Sequence, residues 1–354
     1  MIRLDSTKIE VPIGTIKQRN YSCFQSCIIE DDKQREVKRT AELKPDVKAV
    51  GINSLKLDYL NDVCLLQVSS KLLYDNYAEG INKNNIEQLL QNIAGTGIIE
   101  FEPYSFIEQG SILQTDETHH VHKENILKEW PSIMEALASA CVNTRYTPAE
   151  YSTRNNKGIV YSTDHKSKKN RLIMYAKHVE LSMGKNKPFL KMCANPLKVL
   201  EAAKDVLRIE ANNTCFKTIR ERFVLPKGKP TLAEVLTAQG RPCLHYLHDI
   251  SKPKKNMQLE MIMQSEYTGR MFLQSEGVHS IIRAAEYDTN VVKAILLNKF
   301  SSSMFKDYWY GTKTIPSIKS TIITLAAQDK KQLPGTLNTT IQNIITQLEH
   351  DYSL

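Results

Sequence analysis

The sequence changes period once, near Leu225–Pro230, and no other feature constrains the fold as much. Beyond Pro226 the segments TLAEVLTAQ, NMQLEMIMQSEYTGRMFL, HSIIRAAEYDTNVVKAILLNKF, SIKSTIITLAAQ and TLNTTIQNIITQLEH space their apolar residues three and four apart. That is the pattern of helices with one buried face. PKGKP, GTKTIP and LPGT separate them with residues that break helices. Before Leu225 short apolar, β-branched runs alternate with single helices. VCLLQVSSKLLY (Val63 to Tyr74), SILQTDETHHVH, GIVYSTD, RLIMYAKHVEL and LRIEAN read as strands. IEQLLQNIAG reads as a helix with Ile86, Leu89, Leu90 and Ile93 on one face and Gly95 as its stop. The expected class is α+β: residues 1–225 form a mixed domain and residues 226–354 a helical C-terminal one.

A chain of 354 residues with 41% hydrophobic and 24% charged residues can bury a full core and does not have the composition of a disordered protein. No apolar run approaches the roughly 18–20 residues of a membrane helix, and the start, MIRLDSTKIEVPIG, has charges where a signal core would be apolar. It reads as an entry strand. The seven cysteines are scattered, and only Cys23 and Cys27 are near neighbours, so no second pair completes a zinc site. Reduced thiols in a cytoplasm are the expectation, with no membrane partner. The net charge of +8 is concentrated: Tyr161 to Pro230 holds 16 Lys/Arg against 6 Asp/Glu, and the remainder is close to neutral. Such a segment either binds a phosphate backbone or is a solvated basic face.

Three stretches carry candidate chemistry. In SILQTDETHHVHKE, strand alternation puts Gln114, Asp116, Thr118, His120 and His122 on one face. Two imidazoles and a carboxylate there can hold a divalent cation, and the carboxylate favours Mg or Mn. A solvated histidine cluster at a strand end is the plainer alternative. In RLIMYAKHVEL the same rule puts Tyr175 and Lys177 on one face and Leu172, Met174 and Ala176 on the packed one. A free phenol titrates near pH 10 and is a poor nucleophile; the lysine cation beside Tyr175 and a metal-polarised phosphate would both favour its phenolate. The alternative is a core tyrosine. In VLRIEAN, Arg208 and Glu210 share a face, either as a phosphate contact and an acidic ligand or as an ordinary ion pair.

In this order the three stretches resemble the gene-two replication initiators of filamentous bacteriophages, a family of phage and plasmid rolling-circle initiators. RLIMYAKHVEL is similar to the family's tyrosine–x–lysine–histidine–valine–glutamate–leucine run, VLRIEA to its arginine–x–glutamate–alanine strand, and QTDETHHVHKENI to its arginine–isoleucine–aspartate strand. LLQVSSKLLYDNYAEGI resembles the segment before the family's first long helix. Gln114 stands where the family has arginine. His120 and His122 restore the paired histidines of the wider HUH nickases.

The resemblance implies a central antiparallel sheet with flanking helices, carrying both motifs, and a helical domain for origin recognition or helicase contact. It implies that Tyr175 attacks one strand at a double-stranded, supercoiled origin. The products are a 5′-phosphotyrosine and a 3′-hydroxyl for host polymerase, and the displaced single strand is later rejoined. Asp116 falls on the family's aspartate; the strand reading adds His120, His122 and Glu210 beside it as ligands for Mg or Mn, and Lys177 beside the phenol. The basic segment adds Lys166, Lys168 and Lys169 of the turn HKSKKN, with Arg171 and Arg208, as expected DNA contacts. The rival expectation is a non-catalytic DNA-binding initiator or repressor in which Tyr175 only fills space.

Overall fold

The computed structural model describes residues 1–33, 36–47, 49–139, 146–153, 156–163, 170–251, 279, 281–283, 285, 288–299, 305–306, 309–311, 317–332 and 335–353. It is a mixed α+β protein built on one large antiparallel sheet. The strands are β1 (Leu4–Pro12), β2 (Ile16–Arg19), β3 (Phe24–Glu30), β4 (Glu36–Leu43), β5 (Ile52–Asp58), β6 (Val63–Ser69), β7 (Ile99–Phe101), β8 (Ser111–His122), β9 (Thr147–Thr153), β10 (Asn156–Ser162), β11 (Arg171–Ala176) and β12 (Val206–Asn213). Ten of them form the sheet, in the order β3-β4-β5-β6-β1-β8-β12-β11-β10-β9, and β2 pairs with β7. The helices of the first 225 residues are α1 (Ile86–Gly95), α2 (Pro103–Gln109), α3 (Ile126–Ser139), α4 (Lys177–Leu181), α5 (Lys187–Met192), α6 (Pro196–Ala202) and α7 (Phe216–Phe223). Beyond Leu225 come α8 (Leu232–Leu236), α9 (Pro242–Ser251), α10 (Thr289–Lys299), α11 (Ile318–Gln332) and α12 (Gly335–Ser353).

Each strand owes its place to its pattern. In β1, Leu4, Thr7, Ile9 and Val11 are buried, so the strand sits mid-sheet between β6 and β8. In β8, Thr115, Glu117, His119 and Val121 face one side, and Asp116, Thr118 and His120 the other. The first side is the helical side. There Leu232, Val235 and Leu236 of α8 join the core of β1, β5 and β6, while α9 and Ile344, Ile345 and Leu348 of α12 join that of β8, β11 and β12. Residues 226–354 therefore contribute to the sheet's cores. They also hold a core of their own, in which α10 and α11 pack Val292, Leu296, Ile318, Ile322 and Leu325 with Phe305 and Trp309. A capping box starts α8: the Thr231 side chain accepts from the Glu234 N–H, and the Glu234 carboxylate accepts from the Thr231 N–H.

Two expected strands end early, and both differences shape the site. VCLLQVSSKLLY stops being a strand at Ser69. Ser70–Glu79 is a run of 3₁₀ turns, anchored where the Ser70 hydroxyl donates to Asp5 Oδ1 at 2.8 Å. The strand of RLIMYAKHVEL stops at Ala176, and Lys177 opens α4, so Lys177 is not two positions along a strand from Tyr175. Burial accounts for the switch. Leu181 and Glu180 fold back beside Tyr77, Phe189 and Val199, which an extended chain would leave behind. Among the described residues no helix is long and apolar enough to cross a membrane.

Candidate active site

The face of β8, β12 and β11 away from α9 and α12 gathers the polar residues. Antiparallel register lines up His120–Arg208–Tyr175 in one cross-strand row and Asp116–Asn212–Arg171 in another, with Thr118 opposite Glu210 between them. Directly paired residues project to the same side of a sheet, so three strands deliver one cluster. The Ser70–Glu79 turns and α4 to α6 cover it, adding Tyr77, Lys177 and Glu180.

Arg208 is the hub. It is 1% exposed and forms an ion pair with Asp5. Its Nε donates to Glu210 Oε1 at 2.7 Å, and one Nη donates to the Tyr77 hydroxyl at 3.3 Å and lies 3.1 Å from His120 Nε2. The Tyr175 hydroxyl donates to the same Glu210 Oε1 at 2.5 Å. Lys177 Nζ lies 3.4 Å from the Tyr175 hydroxyl and 2.7 Å from Glu180 Oε2. Asp116 accepts from Ser6 at 2.5 Å and from the side-chain amide of Asn212.

These partners set the titrations. Burial would push Asp5 up, but Arg208 and Lys177 outweigh it and hold the carboxyl below its usual range. Burial raises Glu210, and Arg208 only partly offsets this. His120 is driven well below the usual histidine range by burial, then by Arg208 and Lys177, so its neutral Nε2 accepts from the guanidinium. Burial and then Glu210 push Tyr175 well above the usual phenol. The lysine cation beside it does not by itself offset this. Attack by a phenol so held is helped by a base that takes its proton, and Glu210, which accepts its hydrogen bond, is placed to do so.

Burial also raises Asp116 to about 6, with Glu210 and Asp5 adding to it against the Ser6 hydrogen bond. A carboxyl whose folded pKa lies above its unfolded value stabilises the protein fully below the unfolded value, and that stability is lost as pH rises through about 6. Asp116→Asn is therefore expected to be more stable than wild type by about 3 kcal/mol at pH 8, with the advantage gone at pH 4. Urea titrations at the two pH values measure this. An equal gain at both would show that the change acts through packing and not through charge.

The expected site residues fall into three groups. Tyr175, Lys177, Glu210, Arg208, His120 and Asp116 meet. His122 ends β8 on the same face but is exposed, opposite Val206, and Arg171 lies opposite Asn212 with a buried Nε. Lys166, Lys168 and Lys169 lie outside the described residues. Tyr161, the other phenol of this hairpin, donates to the Leu137 carbonyl at 2.6 Å in the core of the opposite face. Asp5, Ser6, Tyr77, Glu180 and Asn212 were not foreseen. Only Asn212 and Glu180 had a signal, through the alternation of Arg208–Glu210–Asn212 and the spacing of Lys177 and Glu180.

A hard divalent cation is tested by the donors themselves. Asp116 is a raised carboxyl, and the Asn212 side-chain oxygen beside it is buried without a partner, which suits an oxygen-seeking cation. His120 does not suit one as arranged, because Arg208 occupies its Nε2. Among the described residues no three histidine, cysteine, aspartate or glutamate side chains converge into a ready-formed metal cage. No protein-family model and no curated protein matches the chain.

Proposed function

We propose that the protein initiates rolling-circle DNA replication by nicking one strand at an origin through Tyr175 and later rejoining the displaced strand. The observation that carries this reading is the 2.5 Å hydrogen bond from the Tyr175 hydroxyl to Glu210, flanked by the cations of Lys177 and Arg208. A phenol with a raised carboxylate as acceptor and a cation on its oxygen is equipped for attack on phosphorus. The resemblance of the three stretches to the gene-two initiators supports the same reading. So does their convergence on one face of an antiparallel sheet, which we read as an HUH-nickase-like arrangement.

The Tyr175 oxygen bonds to phosphorus as the bond from phosphorus to the 3′-oxygen breaks. Glu210 receives the phenolic proton, and the leaving 3′-oxygen takes a proton to become the hydroxyl. Lys177 offsets charge growing on the phosphoryl oxygens. In rejoining, the 3′-oxygen bonds to phosphorus as the bond from phosphorus to the Tyr175 oxygen breaks; the hydroxyl's proton passes to water, and Glu210 returns its proton to Tyr175. Glu210 thus leaves the expected ligand set and becomes the base. Asp116 and Asn212 would hold Mg or Mn, which when bound supplies Lewis-acid polarisation of the scissile phosphate. Host helicase and polymerase would act on the products in a bacterial cytoplasm.

A second reading has one observation behind it: Tyr175 is only 4% exposed. A non-catalytic DNA-binding initiator or repressor would bury it in this way. The two readings part on covalent chemistry. Wild-type protein is mixed with Mn and a pool of 3′-labelled single-stranded oligonucleotides of randomised sequence, then denatured. The nicking reading expects label to stay on the protein and to map, after proteolysis, to the peptide holding Tyr175. Label on no residue, or on another tyrosine, overturns it.

A further inference from the structure

The opposite end of β1 from Asp5 leads through β2 into a surface patch that the site at Tyr175 does not use. The Arg19 guanidinium carbon sits 4.6 Å from the centre of the Tyr21 ring and 5.6 Å from that of Tyr59. Arg39 lies 5.7 Å from the same Tyr59 ring. Three separate segments thus interleave two aromatic rings with two guanidinium planes. Tyr59 is held in place by its N–H, which donates to the Arg39 carbonyl at 3.0 Å. The Arg19 Nη2 also donates to the Tyr21 hydroxyl at 3.0 Å, which fixes that ring from one side. Tyr21 is nevertheless 69% exposed.

Two clefts meet at this ring. One, of about 500 Å³, is walled by Gln18, Arg19, Asn20 and Tyr21 on one side and Gly97 to Ile99 on the other. The other, of about 380 Å³, is bounded by Ile13, Lys17, Gln18, Arg19 and Tyr21. The Gln18 amide, the Arg19 cation and the exposed Tyr21 ring therefore border both. The local acids are engaged: Glu100 lies 3.8 Å from Lys17, and Glu36 lies 3.9 Å from Arg39.

We infer that Arg19, Tyr21, Tyr59 and Arg39 form a binding site for single-stranded DNA, with a base stacked on Tyr21 and the guanidinium groups against the flanking phosphates. The argument is chemical. An unpaired base has two flat faces to cover, and stacking on an aromatic ring serves any of the four bases. Arg19 and Arg39 each offer both a cation and a plane. Gln18 and Asn20 can meet base edges. Duplex DNA hides its base faces and could use only the cations. The choice of DNA over RNA rests on the strand-handling reading above. The stacking geometry does not.

The test uses the full-length protein and a 12-nucleotide oligothymidylate carrying one 5-iodouracil. Irradiation is expected to cross-link Tyr21. Tyr21→Ala should weaken binding of the oligonucleotide about tenfold. Tyr21→Trp should hold it, and a duplex of the same length should bind both variants as it binds wild type. The side chain is exposed, so folding is not at stake, and circular dichroism checks that. Cross-links confined to residues outside 17–59, an Ala variant within twofold of wild type, an equal loss on duplex, or no binding by wild type would each overturn the site. The nicking reading fails separately, by the absence of a phosphotyrosine adduct in the labelled-pool experiment.

Discussion

Tyr175→Phe is expected to form no covalent DNA adduct, with cleavage reduced by roughly 10⁴-fold or more, the scale on which deletion of a covalent nucleophile acts. The change removes one oxygen. The ring still lies 5.4 Å from the Lys177 ammonium and opposite Arg208 in the sheet register, and the apolar neighbours Leu172, Met174 and Ala176 on the other face are untouched. The stability cost is the hydrogen bond to Glu210 and the longer one from Lys177. Glu210 keeps its Arg208 partner at 2.7 Å, so the loss should be near 1 kcal/mol. Glu210→Gln is the companion variant. It keeps an acceptor for the Tyr175 hydroxyl but cannot take a proton, and cleavage should fall by roughly 10²- to 10⁴-fold. Single-turnover cleavage of a labelled oligonucleotide, with urea titrations alongside, reads both. Normal cleavage by Tyr175→Phe would leave Tyr175 as a buried structural phenol and favour the non-catalytic reading.

The sequence made some of this site legible because strand alternation is a strict rule. A period of two places Asp116, Thr118 and His120 together and Arg208, Glu210 and Asn212 together, whatever the partner strands are. Pairing was not readable. Nothing in DSTKIEVP shows that Asp5 will meet Arg208 from a neighbouring region of the sheet, because register depends on the whole layout. Tyr77 was hidden for a related reason: VCLLQVSSKLLY continues apolar past Ser69, and only the fold shows the chain turning there to lay Tyr77 over Arg208. Lys177 shows how a wrong local assignment can leave a contact intact. It is helical, yet a long flexible side chain still brings its ammonium to 3.4 Å from the phenol. The sign of the Tyr175 shift was out of reach, since it depends on burial that neighbouring elements impose.

Arg208→Met should be among the most destabilising single changes, by about 3–5 kcal/mol at pH 7, because it leaves buried charges without a counter-ion. Methionine keeps much of the stem and the apolar contacts and removes the guanidinium. Asp5 then loses its ion pair and Glu210 its Nε donor, while His120 and Tyr77 lose a partner each. The pH dependence follows from Asp5. Its folded pKa is depressed, so the stability it gains from Arg208 is present above the unfolded carboxylate value near 4 and is lost as pH falls through the folded one. The penalty of Arg208→Met should therefore shrink toward acid pH. Neutralising the partners should do the same at pH 7: adding Asp5→Asn and Glu210→Gln to Arg208→Met is expected to recover most of the loss, since a neutral polar cluster no longer pays for uncompensated charge. Urea titrations of the single, double and triple variants measure the coupling. A cost below about 1 kcal/mol for Arg208→Met would mean that water reaches these carboxylates. A carboxylate in so wet a site could not hold the raised pKa that lets Glu210 act as the base toward Tyr175, so the same measurement bears on stability and on mechanism.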